Sequence, residues 1–325
     1  MSQVMVPGYI HTPGNHCGST ALRNLLAFHG VEMTEEMAFG LGAGACFFYI
    51  VLEGQSPSRF TNGRASRLEE TFVELTSTPL QLETEEDEEK AWGIARAAVD
   101  AGRPALLLSD LYYLDHYGNS AHFPGHAVVL AGYDEEVAYL SDTGFDELQT
   151  TSLENLAKAR HAKHPWFPLE GHMLHMPGDE EIGDLSGAIP AAVARAVKEM
   201  IEPAMGEFQG LPALRRLADE VGDWPGAAED WQWCARFLYQ VIERRGTGGG
   251  NFRRMYARFL EETGYEQSAL AAEAADRWTA VAEAARAASD AGEPEPKLWA
   301  SLGAETARVL DAEERLWSSL GAASG

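Results

Sequence analysis

Cys17, His126 and Asp142 are the residues of this sequence whose types and surroundings allow covalent chemistry. A cysteine becomes a nucleophile when a base takes its proton, and the base works when an acceptor fixes its tautomer and orientation. The stretch His11-Thr12-Pro13-Gly14-Asn15-His16-Cys17-Gly18-Ser19-Thr20 is a Pro/Gly turn that ends on a thiol. It runs at once into Ala21–Gly30, where Leu22, Leu25, Leu26 and His29 recur at helical spacing. Ser19 or Thr20 can cap this helix, and Gly30 closes it. The spacing therefore predicts Cys17 at or just before a helix N-terminus, where unpaired N–H groups and the helix dipole favour a thiolate. Taken singly, a cysteine is more often a small buried residue. Polar turn formers and the neighbouring His11 and His16 set this one apart.

The base and the acid come from a second region. Gly125–Asp134 and Val137–Asp142 read as consecutive antiparallel strands joined by a Glu-Glu turn. His126 opens the first strand and Asp142 closes the second, so the two ends lie side by side. Cysteine on a helix, then histidine and acid on strands, is the papain-like order. His116, His122 and His16 compete for the role of base, with His122 in reserve. Asp110 ends the preceding apolar strand, Arg103–Asp110, and is a rival orienting acid or a substrate contact. In the polar, aromatic loop from Leu111 to Pro124, Tyr112 and His122 join Asp110 and His16 as candidate substrate-binding residues. His116, His122 and His126 straddle this loop without partner ligands, and His161, His164, His172 and His175 are scattered, so no metal site is expected.

Other segments build around this frame. Val31–Gly40 reads as a short second helix with Thr34 as N-cap, and Phe47, Tyr49 and Val51 share one face of a buried strand that also holds Cys46 as a core residue. The Gly/Ala spacing of 41–45 is too short for a dinucleotide fingerprint. Gln55–Asn62 reads as a surface loop; Arg59, Arg64 and Arg67 around it are unusual in so acidic a chain. Thr78–Thr84 alternates like a strand, and Asp87–Ala101 is an amphipathic helix stopped by Gly102. Ser152–Ala162 reads as a helix and Glu170–Met176 as one more strand of the same sheet.

Pro177-Gly178 and the acidic residues after it look like a linker, dividing the chain into a catalytic domain, 1–178, and a second domain, 179–325. From Ile189 the pattern is helical: Ala191–Ile201, Leu211–Val221, Ala227–Arg245, Phe252–Thr263, Gln267–Ala288 and Leu298–Leu320. Gly246–Gly250 interrupts it ahead of Arg253 and Arg254. A glycine run at a helix N-terminus can cradle a phosphate, which makes Gly248, Gly249 and Arg253 further substrate-binding candidates. The plainer account is a tight helix–helix connection. No Gly-Lys-Ser/Thr follows, so nucleotide hydrolysis is not supported.

Bulk properties narrow the class. At 325 residues the chain holds two cores, and 45% hydrophobic with 10% aromatic content describes a globular protein. No apolar run is long enough to cross a bilayer, and the N-terminus lacks the pattern of a signal peptide. Three cysteines without CxxC spacing point to a reduced, cytoplasmic setting. The net charge of −25 argues against nucleic acid, whose phosphates need clustered Lys and Arg. The same field attracts a polycationic small molecule such as an amine-rich sugar, beyond its plain effect on solubility.

The sequence resembles the butirosin biosynthesis protein H family. The residues that carry the resemblance are HTPGNHCGSTALRNLL, MTEEMAFGLGAGACFFY, SDLYYLDHYGNSAHFPGHAVVLAGYDEE with the LSDTG that follows, and RRGTGGGNFRRMYARFLEE in the second half. GHAVVLAGYD alone is common to many papain-like domains. The resemblance implies an α+β protein, a papain-like N-terminal domain joined to a mostly α-helical one that covers the active site. It implies a cysteine acyltransferase that takes an acyl group from an acyl carrier protein thioester and passes it to an amine. Carried over by position, Cys17 is the nucleophile and His126 the base; Asp142 as orienter rests on placement. No cofactor is implied beyond the phosphopantetheine of the donor, and no membrane or nucleic acid; a homodimer is compatible with the sequence. The rival readings are a hydrolase or peptidase with the same triad, and an inert binding module.

Overall fold

The computed structural model describes residues 3–119, 121–164 and 167–324. From the N-terminus the elements are β1 (Val4–Met5), α1 (Cys17–Phe28), α2 (Glu35–Leu41), β2 (Ala45–Val51), β3 (Arg59–Arg64), α3 (Leu68–Thr76) and β4 (Gln81–Glu83). Next come α4 (Glu88–Asp100), β5 (Ala105–Ser109), β6 (His126–Tyr133), β7 (Val137–Ser141), β8 (Gln149–Ser152), α5 (Leu153–Arg160) and β9 (Met173–His175). The remainder is helical: α6 (Ile189–Ile201), α7 (Gly210–Glu220), α8 (Trp224–Ala227), α9 (Trp231–Glu243), α10 (Arg253–Glu262), α11 (Ser268–Asp290) and α12 (Pro296–Ser324). The chain is α+β and divides into two units, Met1–Ala38 with Ser66–Leu185, and Phe39–Ala65 with Ser186–Gly325.

The first unit is built on an antiparallel sheet in the order β4-β9-β5-β6-β7-β8, with β1 added beside β6. β5 is buried along its whole length because β9 and β6 flank it, as its unbroken apolar run requires. Val128, Leu130 and Leu140 of the sheet pack with Ala95 and Val99 of α4 and Leu156 of α5 into one core. α1 lies against β6. Its Leu22, Leu25 and Leu26 are fully buried, each contributing about 1.5–3 kcal/mol, which fixes the direction of the helix and hence the place of its first residue.

The second unit corrects several expectations. Gln55–Asn62 is not all loop: β3 begins at Arg59 and pairs with β2 as a hairpin. That hairpin, placed by the sequence reading within residues 1–178, belongs to the helical unit. The physical reason is where its side chains find partners. Phe47 packs on Trp278, and Tyr49 stacks on Trp224 while its hydroxyl donates to Glu220 at 2.7 Å. Arg253 of α10 donates to Cys46 O at 3.0 Å and Gly63 O at 3.1 Å. The helix expected over 227–245 is α9, which starts later, at Trp231; the short α8 ends at Ala227.

Arg253 and Glu313 form the buried centre of this unit, both without exposure. The Glu313 carboxylate accepts from Arg253 Nε at 2.8 Å and Nη2 at 3.2 Å, from Trp278 Nε1 at 2.6 Å and from Trp317 Nε1 at 2.5 Å. Arg253 is thus fully engaged, and its expected substrate role is corrected to a structural one. The glycine run is likewise a packing turn: a Cβ on Gly250, at φ 57°, would meet Ala275 Cα of α11 at 2.8 Å. Gly250 N–H donates to Glu243 at 3.1 Å and Gly249 N–H to Thr247 at 3.0 Å. A carboxylate and a hydroxyl already take N–H groups that a phosphate would need, so the substrate role expected of Gly248 and Gly249 is replaced by chain reversal, at φ 66° and 86°.

Candidate active site

Cys17 is the first residue of α1, and His16 is its N-cap, Nδ1 accepting the Ser19 N–H at 3.2 Å. His16, a substrate-binding candidate in the sequence, is buried and serves as this cap. The loop before it is held from two sides. Glu35, buried at the start of α2, accepts the Asn15 N–H at 3.0 Å, the His16 N–H at 2.6 Å and the Thr20 hydroxyl at 3.1 Å. His11 bonds Ser141 Oγ at 2.7 Å through Nδ1 and donates from Nε2 to Phe145 O at 2.8 Å; Gly14 N–H donates to Thr143 O at 3.1 Å. A Cβ on Gly14 would come within 2.1 Å of Thr20 Oγ1, so only glycine allows this approach. The loop therefore ties the helix start to the end of β7.

β6 and β7 supply the other two groups. Val129 pairs with Ser141, which sets Asp142 across from Val128 and makes His126 its diagonal neighbour on the same face. His126 Nε2 lies 3.0 Å from each Asp142 oxygen, both side chains buried. With Nε2 committed to Asp142, Nδ1 is left for the thiol, and the Cys17 and His126 side chains are hydrogen-bonded. Cys17 is half-buried, its Sγ 3.8 Å from Gly125 O.

Asp142 has a second imidazole. His116 Nε2 donates to its Oδ2 at 2.8 Å, and His116 Nδ1 stands 3.2 Å from Thr151 Oγ1, which itself accepts the Asp115 N–H at 3.3 Å. The carboxylate and the Thr151 hydroxyl thus hold the His116 ring by both of its nitrogens. Tyr117 donates its hydroxyl to Asp142 Oδ1 at 3.3 Å and sets its ring edge-on to His126, centroids 5.5 Å apart.

Electrostatics follow from this packing. Burial pulls the His126 pKa down, but the charge and hydrogen bonds of Asp142, with Cys17 beyond, outweigh it and push it up to about 10. Burial raises Asp142, yet the His126 charge and the hydrogen bonds from His116 and His126 hold it well below the usual carboxylate range. Burial, with the negative charges of Asp142 and Cys17, raises Tyr117, so its hydroxyl stays protonated and donates. An imidazolium beside the sulfur through neutral pH favours the thiolate. Alkylation of Cys17 by chloroacetamide is accordingly expected at its plateau by about pH 7, while Asp142→Ala climbs with pH as an ordinary thiol does. Mass-spectrometric labelling rates from pH 5 to 10 read this directly; parallel profiles for the two proteins would contradict it.

The structure brings Cys17, His126 and Asp142 together, and it gives Asp110 and His122 to each other. Asp110 accepts the Phe123 N–H at 2.8 Å, the Tyr112 N–H at 3.1 Å and His122 Nδ1 at 2.7 Å, and the His122 ring stacks on Tyr112 at 4.0 Å. Asp110 is thus not the orienter of His126. His122, three residues before Gly125, is over half exposed and remains open to a ligand. Sequence reasoning missed Glu35, whose place in the first turn of α2 reads only as a dipole partner, and the bonds from His116 and Tyr117 to Asp142. The adjacency of His116 and Tyr117 in the loop before the His126 strand was the available signal. Among the described residues, no cluster of His, Cys, Asp or Glu is placed to hold a metal ion. The arrangement is that of a papain-like cysteine enzyme: thiol at a helix start, imidazole and acid on adjoining antiparallel strands.

Residues 16–143 match the family described as Butirosin biosynthesis protein H, N-terminal, and residues 154–320 match the one described as Domain of unknown function (DUF4872). No curated protein matches the chain. Among solved structures it is similar to a protein from Bacillus anthracis described as a C39-like peptidase, with 16% identity over 54% of this chain and 97% of that one, at a TM-score of 0.39.

Proposed function

From the match of residues 16–143 to the butirosin biosynthesis protein H N-terminal family, we propose that the chain is a member of that family and a cysteine acyltransferase of specialised metabolism. The observation that carries the proposal is the Cys17–His126–Asp142 arrangement inside the matched N-terminal region. The Cys17 thiolate attacks the carbonyl carbon of an acyl thioester, and the Cys17 backbone N–H, at the start of α1, helps to stabilise the oxyanion. As the C–S bond of the donor breaks, the leaving thiolate takes the proton of the His126 imidazolium. The neutral imidazole then accepts a proton from the incoming amine while its nitrogen attacks the Cys17 acyl group. Cys17 departs as thiolate beside a restored imidazolium, leaving an amide and a thiol. A thioester is already activated, so the exchange runs downhill without a nucleotide.

The donor is an acyl carrier protein thioester, its phosphopantetheine forming part of the substrate, and the acceptor is an amine-bearing small molecule. A net charge of −25 supports a cationic acceptor, whose local concentration it raises. A cytoplasmic setting is part of the same proposal. No helix among the described residues is long and apolar enough to cross a membrane. The test is the fate of the acyl-enzyme. Protein loaded with a short acyl group from an N-acetylcysteamine thioester is split between buffer and buffer with a polyamine sugar, and intact mass is followed. Discharge by the amine at least about tenfold faster than by water, with amide in the supernatant, is the expected result. Equal rates would make the protein a hydrolase.

A further inference from the structure

The helical unit carries a concentration of positive charge that the proposed chemistry leaves unused. One cleft, of about 470 Å³, is lined by Arg236, Tyr239, Gln240, Arg244, Arg245 and Arg286 with a single acid, Asp290. Four of the chain's 25 Lys and Arg thus meet in one place in a protein of net charge −25. Asp290 pairs with Arg236 and lies 3.9 Å from Arg286, so one carboxylate serves two guanidiniums. Arg286 also stands 5.8 Å over the Tyr239 ring, and Arg245 donates to Gln240 Oε1 at 2.7 Å while lying 5.1 Å over Phe237. Neutral groups hold Arg245 in place and leave its charge uncancelled; Arg244 beside it is exposed at the end of α9. The local balance is four positive charges against one negative.

We propose that this arginine cleft is the docking surface for the acidic face of the acyl carrier protein that delivers the acyl group. The inference rests on the acyltransferase reading and supplies what that reading lacks. Acyl carrier domains are small, strongly acidic helical bundles, and a chain at −25 repels such a partner everywhere except where its own charge is locally reversed. Guanidinium is suited to the task, because its planar fork matches carboxylates two bonds at a time. Partly pre-oriented arginines also lose less side-chain freedom on binding.

The test is binding of a fluorescently labelled, strongly acidic holo acyl carrier protein to the full chain, read by anisotropy at low salt. Wild type and Cys17→Ala should bind alike, because docking needs no thiol. Arg244→Glu with Arg245→Glu, both exposed, should raise Kd at least about tenfold, and added salt should narrow the gap. A control with the same charge change on α12, Arg308→Glu with Arg315→Glu, should bind nearly as wild type does. Absence of wild-type binding, or equal effects of the two double variants, would overturn the proposal. Acylation separates the sources of anionic charge. Loading from an N-acetylcysteamine thioester and from a coenzyme A thioester should be unchanged in the cleft variant. Loss with coenzyme A equal to that with the carrier would assign the cleft to the donor's phosphates and overturn the protein-docking claim. Failure of wild type to load from any thioester, with carrier binding intact, would instead count against the acyltransferase reading.

Discussion

Replacing His126 with alanine lowers the rate of Cys17 acylation by about four to six orders of magnitude, the range in which removing the base of a working nucleophile–base pair falls. The size follows from its two roles. As imidazolium it keeps the sulfur ionised and protonates the departing thiol; as imidazole it deprotonates the amine. No neighbour takes over. His116 turns its Nε2–H to Asp142 and its Nδ1 to Thr151, and His122 is bonded to Asp110. The fold should survive, because Asp142 keeps its bonds from His116 and Tyr117 and so is not left as an unpaired buried charge. Single-turnover acylation by an N-acetylcysteamine thioester, with circular dichroism as the check on folding, measures the effect. A loss under about tenfold in folded protein would remove His126 from the chemistry.

The largest effect on stability belongs to Glu313. Glu313→Ala strands the buried Arg253 guanidinium and the indole N–H groups of Trp278 and Trp317, all of which end on this one carboxylate. Breaking one side of a buried ion pair costs about 3–5 kcal/mol. Arg253 also holds the carbonyls of Cys46 and Gly63, so the β2–β3 hairpin should loosen with the helices. Urea unfolding followed by tryptophan fluorescence should show a lower midpoint with a similar slope. Replacing Arg253 and Glu313 together with methionine and leucine should recover only the part of the loss due to the stranded charge, since the indole N–H groups of Trp278 and Trp317 and the Cys46 and Gly63 carbonyls stay unpaired. A loss below about 1 kcal/mol in Glu313→Ala would contradict this account.

What the sequence made legible was local. The unbroken apolar runs 105–108 and 127–131, closed by turn residues, marked β5 and β6, and the distance of His126 and Asp142 from the turn between β6 and β7 was enough to make them neighbours. The Leu spacing after Cys17 marked α1, and the long Ala-rich segments marked α11 and α12 to within a few residues. β8 escaped because Gln-Thr-Thr-Ser carries no apolar alternation and forms by pairing with β7 at the edge of the sheet. The hairpin was assigned to the wrong unit because strand pattern specifies burial and not the partner; Trp224 and Trp278, which bury it, lie far along the chain. Arg253 looked available for a phosphate for the same reason, its partner Glu313 being sixty positions away. Two imidazoles on one carboxylate likewise emerge only when the His116 loop folds back onto the strand ends.

The central claim is that the acyl group travels on Cys17. Peptide mapping by mass spectrometry after a brief exposure to an acyl N-acetylcysteamine thioester at neutral pH tests it most directly, with Cys17→Ala treated in parallel. The account predicts one acyl group on the peptide containing Cys17 in wild type, none in the variant, and none on the buried Cys46 or Cys234 in either. The same adduct on Cys17→Ala, or a wild-type adduct on any other residue, would contradict it.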